Sequence, residues 1–497
     1  MNSSLLGTET GFDRQPLAIG LITIILAAFI ALVTPLWSIA ILIGMAITLA
    51  ILVRPWLGLV ALGLSIPFAA AMPLPVGNLP VDGADLLLLL ALGAWLLKGF
   101  AQGSLVIPWA PLTVPLVLFA LALALSLPGA GSYKEGIPEL VKWLQVLALY
   151  TCVVAILPAR FAGWVLAALL LAGVGQALLG LYQFITQTGP DPFVLMGRFM
   201  RAHGSFRQPN PYAGYLGMVA PLAISLAIWS LTPSAGQRLH GWPGIVLRLV
   251  LFATALLISL GLLLSWSRGA WIAFAGSTMV VLLALSRRAA PLLVVILIAL
   301  LGSGMIFGWA NLIPDPLVER LADLETYLGL VEVQRIEVTD ENFAVIERLA
   351  HWEAAKAMWA DQPWLGVGIG NYGAAYARYA LPRWQEALGH AHNVYLNFGA
   401  ESGLLGFVAY LVFWVAAGWR AIRAASNRDR YVAAVGAGVL GAWAQITIHN
   451  LFDNLWVQHM YLHFALMLGV MAVLDSGPLI GNYPKINQRP IETVGNS

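Results

Sequence analysis

Apolar runs of about 20 residues, the length a helix needs to cross a bilayer, recur along most of this 497-residue chain. By length alone, about three soluble domains would be expected. Composition rules that out: 60% of the residues are hydrophobic and only 10% charged, with a mean hydropathy of +0.82, against roughly 25% charge in a soluble domain. No water-soluble fold could hide so much apolar surface. The expected fold is all-α, a polytopic bundle of membrane-spanning helices, with the lipid bilayer as its principal solvent. The net charge of +2 comes without a basic block or an interleaved aromatic platform, so nucleic acid is not an expected partner. The single cysteine, Cys152, lies inside an apolar run and has no internal disulfide partner, which leaves the redox compartment open.

Breakers such as Pro, Gly and charge divide the runs into candidate spans near 17–34, 36–53, 56–72, 83–100, 110–128, 138–157, 161–186, 211–232, 244–265, 268–286, 289–309, 393–417, 431–449 and 455–475. The expected total is about 12–14. The first run is too long for a secretory signal and lacks a clear cleavage site, so it reads as a retained span. With fourteen spans both termini share one side. Placing that side in the cytoplasm puts Arg54, Lys98, Arg160, Arg238, Arg248, Arg287, Arg288, Arg420, Arg423, Arg428 and Arg430 inside. Only Lys134, Lys142, Arg198, Arg201, Arg207 and Arg268 fall in the opposite short loops, as the positive-inside bias requires. The organisation expected is therefore about eleven spans over 1–309, a loop domain over 310–392, about three spans over 393–475, and a cytoplasmic tail over 476–497. The loop domain holds twelve of the chain's 24 acidic residues and by the span count faces outward, which in a bacterium is the periplasm. Its stretch FAVIERLAHWEAAKAMW, residues 343–359, spaces apolar residues as a helix does, so amphipathic helices near the membrane are expected.

Chemistry-bearing residues gather on the outward side. Arg198, Arg201 and Arg207 stand in GRFMRAHGSFRQPNPYAGYL, and Arg268 opens a span in LLLSWSRGAWIAF. A cation at membrane depth is costly unless paired. Each one alone is equally well read as snorkelling to the interface. Together they favour a bound anion, because a guanidinium fork matches phosphate oxygens bidentately.

The run GHAHNVYLNFGAESGLLGFVAYL, residues 389–411, is the sharpest feature. His392 and Asn393 sit where the polar loop becomes a helix, and eleven residues separate His392 from Gly403. That is close to three helical turns, which would set the histidine above a stripe of Gly399, Gly403 and Gly406. Close helix packing explains the glycines. A histidine at the water–lipid boundary either caps the helix or takes a proton from a sugar hydroxyl. Glu401 reads as an orienting or structural partner. The alternating Gly366, Gly368 and Gly370 of DQPWLGVGIGNY lack dinucleotide-binding spacing and suit a tight turn. His449, Asn450 and Asp453 of HNLFDN either line the same cavity or cap helices. Metal chemistry finds no H-E-x-x-H or D-x-D pairing, and His390 with His392 is a weak spacing. No G-x-S-x-G elbow supports a serine nucleophile. No metal and no cofactor are expected.

From about Arg201 to Asp453 the sequence resembles the O-antigen ligase and O-antigen polymerase superfamily of bacterial membrane glycosyltransferases. The likeness rests on RAHGSFRQPN at 201–210, SRGAW at 267–271, the stretch from Arg348 to Asn371 ending in PWLGVGIGN, and HN followed by nine residues and GLLG. The resemblance implies a GT-C-like, metal-independent, inverting transfer of glycan from an undecaprenyl-diphosphate donor, at the periplasmic face of the inner membrane. The acceptor implied is a hydroxyl of the lipid A core, of a second lipid-linked glycan, or of a protein. It further implies His392 as general base, Arg201 and Arg268 as diphosphate ligands and Arg348 as a third anion contact; Arg207, at a position where the family pattern does not demand arginine, is expected as a further one. Asn393, Gly403, Gly406, Glu401 and His449 are expected to support them. The competing class is a lipid-glycan transporter, which should place polar residues near the midplane or on both faces. The chain shows few of either. Peptidoglycan-polymerising membrane proteins share the donor type but would carry a carboxylate where His392 stands.

Overall fold

The computed structural model describes residues 35–69, 73–76, 79–195, 197–286, 338–339 and 342–476. The expected spans at 17–34 and 289–309, much of the loop domain and the C-terminal tail lie outside these residues. Each of the other twelve expected spans is a helix.

In chain order these are α1 (Pro35–Val53), α2 (Trp56–Ala69), α3 (Gly83–Ala101), α4 (Thr113–Ser126), α5 (Tyr133–Ile156), α6 (Ala162–Thr186) and α7 (Pro209–Ser230). After the short α8 (Pro233–Arg238) come α9 (Gly241–Leu263) and α10 (Arg268–Leu285). Helices α11 (Phe343–Asp361) and α12 (Tyr372–Tyr379) precede α13 (Val394–Ala425), α14 (Arg430–His449) and α15 (Met460–Asp475). Sheet among the described residues is confined to two antiparallel ribbons, β1 (Pro73–Val76) with β2 (Leu79–Asp82) and β3 (Val194–Leu195) with β4 (Phe199–Met200). Among the described residues, eight helices are long and apolar enough to cross a membrane, and four shorter apolar helices accompany them.

The helix ends follow local chemistry. Asp82 and Asp85 form a reciprocal capping box at the start of α3, Asp429 caps α14 through the Tyr431 N–H, and Pro209 takes the first position of α7, where no N–H is needed. Of the eight long helices, α7 and α14 are the most enclosed. α7 packs against α14, α9 and α10, while α13 packs against α14 and α4, and α15 against α5. Leucines on α1, α3, α9 and α10 remain exposed, as lipid-facing surface should.

Two expectations are corrected here. First, α13 is one span in sequence but two helical pieces, broken at Gly403 (φ 60°, ψ −161°), a backbone region essentially open to glycine alone. The amides freed by the break donate outside the helix, Leu404 N to Pro363 O at 2.7 Å and Leu405 N to Trp364 O at 3.2 Å. A broken helix at membrane depth is tolerated where protein satisfies its backbone. The glycine stripe is therefore not a continuous face. Second, the apolar side of α11 is spent on protein and not on lipid: Ile346, Ala350, Ala355 and Met358 are buried, and the Trp359 ring occupies the space above Gly399 that a side chain would fill.

Candidate functional site

Four segments distant in sequence meet at one end of the bundle: the loop before α7, the turn before α10, the α11–α13 region and the α14–α15 loop. Their meeting is held by backbone. Ala202 N donates to Leu264 O at 3.0 Å, and Val394 N to Asn450 O at 2.9 Å. Two glutamines on one face of α6 fix the loop before α7. Gln183 accepts from the amides of His203 and Gly204, and Gln176 brackets Ser205. The α14–α15 loop is pinned at its far end by His459, whose ring nitrogens lie 3.3 Å from Asp82 and 3.3 Å from Asp85.

His392 lies at the centre. It precedes α13 in a left-handed conformation, φ 51°, strained for a residue with a β-carbon, and does not stand above a helical glycine face. Asn393 explains the placement: its Oδ1 caps α13 by accepting from Leu396 N at 3.0 Å, and its Nδ2 donates to Leu451 O at 3.0 Å. The His392 Nδ1 then lies 3.4 Å from Asp453 Oδ1, with 21% of the histidine side chain exposed and 9% of the aspartate's. The other carboxylate oxygen of Asp453 accepts from Asn210 Nδ2 at 2.9 Å. The oxygen of Asn210 in turn accepts from Arg201 Nη2 at 3.0 Å, and Arg201 Nε donates to Ser265 O at 2.8 Å. A continuous polar relay thus runs Arg201, Asn210, Asp453, His392.

Burial opposes ionisation of Asp453, but the His392 hydrogen bond and charge, with His390 and Arg348, outweigh it and hold the carboxyl well below the usual carboxylate range. Around His392, burial and its charge push His390 down to about 3 and His351 down to about 4, so both stay neutral at physiological pH. His390 Nδ1 accepts from the His392 amide at 3.1 Å. His351 stacks on Tyr376 with ring centroids 4.4 Å apart and bonds Tyr372 through Nδ1 at 3.0 Å. The arrangement sets the His392 imidazole against an ionised carboxylate, bordered by the neutral rings of His390 and His351.

The remaining expected residues divide. Arg268 opens α10 almost fully buried; one turn on, Ile272 packs with Val345 and Phe452, which brings the start of α10 to α11 and to the neighbour of Asp453. Arg348, half-buried on α11, is within electrostatic reach of Asp453, His390 and His449. His449 is buried at the end of α14. Arg207 is exposed and stands outside the relay. Glu401 is structural in placement: buried in α13, it accepts from the Tyr372 amide at 3.0 Å and from the Gly370 amide, fixing the glycine-rich turn. That turn approaches protein backbone, with Val367 N donating to Ala400 O at 2.9 Å. Gly403 holds the break described above, and Gly406 lies directly against Ser402.

Asp453 as the partner of His392, Asn210 between Asp453 and Arg201, and the two α6 glutamines were not anticipated. The glutamines had a signal, two amides seven residues apart in an apolar span; the role of Asn210 had none. His390, His392 and Asp453 present donor atoms within 4.8 Å of one another, as do Asp82, Asp85 and His459, so either trio has the ligand types for a divalent ion. In the first trio, His390 Nδ1 and His392 Nδ1 are already engaged internally.

Compared with known families, residues 252–411 match the model of the O-antigen ligase family. The matched segment contains Arg268, Arg348, His392, Asn393, Gly403 and Gly406, and it bears out the resemblance to the O-antigen ligase and polymerase superfamily. It supports a multi-pass membrane glycosyltransferase of that type, with lipid-linked glycan substrates. No curated protein matches the chain.

Proposed function

We propose that the protein transfers a glycan from an undecaprenyl-diphosphate donor to an acceptor hydroxyl at the periplasmic face of a bacterial inner membrane, with the lipid A core as acceptor, in the manner of an O-antigen ligase. The observation that carries this reading is the His392–Asp453 pair joined through Asn210 to Arg201: a base with its orienting carboxylate, set beside a cation suited to a phosphate leaving group.

The chemistry follows from the roles. With Nδ1 turned to Asp453, the other ring nitrogen of His392 accepts the proton of the acceptor hydroxyl. The oxygen attacks the anomeric carbon from the face opposite the diphosphate, a C–O bond forms, and the bond to the diphosphate breaks with its electron pair leaving on phosphate. Asp453 stabilises the imidazolium as it forms, as a buried carboxylate does behind a catalytic histidine. Negative charge grows on the departing diphosphate. Arg201, Arg268 and Arg348 are preorganised cations for it, so they contribute to the transition state as well as to binding; Arg207 serves as a peripheral contact. Helices α11 and α12 of the loop domain form the outer wall, and both termini are cytoplasmic. The transfer is inverting and proceeds without a metal.

The acceptor is tested by supplying purified protein in proteoliposomes with undecaprenyl-diphosphate glycan, with and without lipid A core. A single shifted core band that persists in EDTA is the expected result. A ladder of longer lipid-linked glycans without core would make the protein a polymerase, and loss in EDTA with rescue by a divalent ion would overturn the metal-free chemistry.

A further inference from the structure

At the end of the bundle opposite His392, the α1–α2 turn, the end of α3, the segment after it and the α5–α6 turn enclose a cavity of about 590 Å³. Its position follows from α3: Asp85, held by His459 at the His392 end, and Lys98, on the cavity, lie thirteen residues apart on one helix, a rise of about 20 Å. Arg54, Lys98 and Arg160 line it, and no carboxylate does among the described residues. All three cations are exposed, so their charge is available. The floor is aromatic and ordered. Trp56 stacks on Phe161 with centroids 4.3 Å apart at 9°, and the Arg160 guanidinium lies over Phe161 at 4.8 Å.

Positive-inside bias alone accounts for cations at this end of a membrane protein, but it does not gather three of them, from two turns and the end of α3, around one cavity. Two guanidinium forks and an ammonium suit a phosphate, and the volume is that of a small-ligand site. The surroundings choose between sources of phosphate. Val53, Leu97, Phe100 and Ile107, on the elements that form the cavity, are exposed apolar side chains, which a free anion has no use for and acyl chains do.

We propose that this cavity binds the phosphate headgroup of an acidic membrane phospholipid, whose chains lie along the outer surface of α1 and α3. The site is separate from the transfer chemistry and needs no catalytic residue. Basic pockets between spans on the cytoplasmic side are suited to such headgroups, and occupancy would fix the height and tilt of α1 to α3 in the leaflet.

The test uses the full chain, delipidated in detergent and examined by native mass spectrometry after adding phosphatidylglycerol or phosphatidylethanolamine. The variants are Arg54→Ala/Lys98→Ala/Arg160→Ala and a control, Arg423→Ala/Arg428→Ala, which removes exposed cations outside the cavity. Wild type and control should retain phosphatidylglycerol in preference to phosphatidylethanolamine, and the triple variant should retain about tenfold less or lower. Millimolar inorganic phosphate should not displace the lipid. Equal retention by the triple variant, equal loss in the control, or no headgroup preference would each overturn the proposal, and displacement by inorganic phosphate would reassign the site to a soluble anion. If the triple variant elutes as aggregate, Arg160→Gln, the mildest change, is compared instead and should still lose retention several-fold.

Discussion

Replacing Asp453 by asparagine keeps the shape of the side chain and removes its charge, which isolates what the carboxylate does for His392. Two unit charges at the observed 3.4 Å interact by about 5 kcal/mol at an effective dielectric near 20. That is a ceiling, because one-fifth of the histidine side chain meets solvent and water screens the pair. A loss of about 2–4 kcal/mol in the transition state is a reasonable range, roughly 30- to 1,000-fold in kcat. The amide brings a second effect: its NH2 group can donate to Nδ1 and so favour the wrong tautomer. Asn210 retains an amide oxygen to bond, while the Asn454 amide, which donates to the Asp453 oxygen facing His392 at 2.8 Å, loses its acceptor, so the thermal midpoint is read beside kcat. The assay is single-turnover transfer from undecaprenyl-diphosphate glycan in proteoliposomes, with donor retention measured alongside. The expected result is a depressed kcat at nearly unchanged donor affinity. Wild-type kcat in Asp453→Asn would refute the orienting role, and a parallel collapse of donor affinity would place Asp453 in binding instead.

Gly403→Ala should destabilise the fold by about 2–4 kcal/mol, from a glycine-only backbone region and from overpacking, since a β-carbon there would meet the Trp364 carbonyl carbon at 2.3 Å; a thermal midpoint within a degree of wild type would contradict the break. Acidification should weaken the packing around His351 and His390. His390 and His351 titrate at about 3 and about 4 in the fold against about 6.5 unfolded, so the unfolded chain binds more protons in between. Stability is then complete above pH 6.5 and falls below it, by about 1.4 kcal/mol per pH unit for each such histidine. The carboxyl of Asp453, depressed in the fold, gives a stabilisation that is whole above the usual carboxylate range and is lost only below it, so it adds nothing to the change between pH 7.5 and pH 5. Thermal unfolding in detergent at pH 7.5 and pH 5 checks it, a flat midpoint being the contrary outcome.

The bundle was legible because its signal is local: a run of apolar residues ends where Pro, Gly or charge interrupts it, and bilayer thickness sets its length. Boundaries moved where polar residues extend a helix beyond the apolar run, as at the start of α5, which begins at Tyr133, and at the end of α13, which reaches Ala425. The site was legible only in part. His392 and the arginines stood out because they are costly polar groups at the ends of apolar spans. Their relay did not, because Asn210 and Asp453 lie 243 residues apart and no spacing rule joins them. Gly403 was visible as a glycine, but its use was not. Helical periodicity offered it a packing stripe, whereas the Pro363–Leu365 backbone laid against it requires a break.

The central claim is that His392 is the base of a glycan transfer, and His392→Ala tests it most directly. The variant is assayed in proteoliposomes with the lipid-linked donor and the lipid A core acceptor, with insertion and thermal midpoint measured on the same preparation. Transfer should disappear while the protein remains inserted, folded and able to bind donor. Turnover retained in His392→Ala would contradict the account.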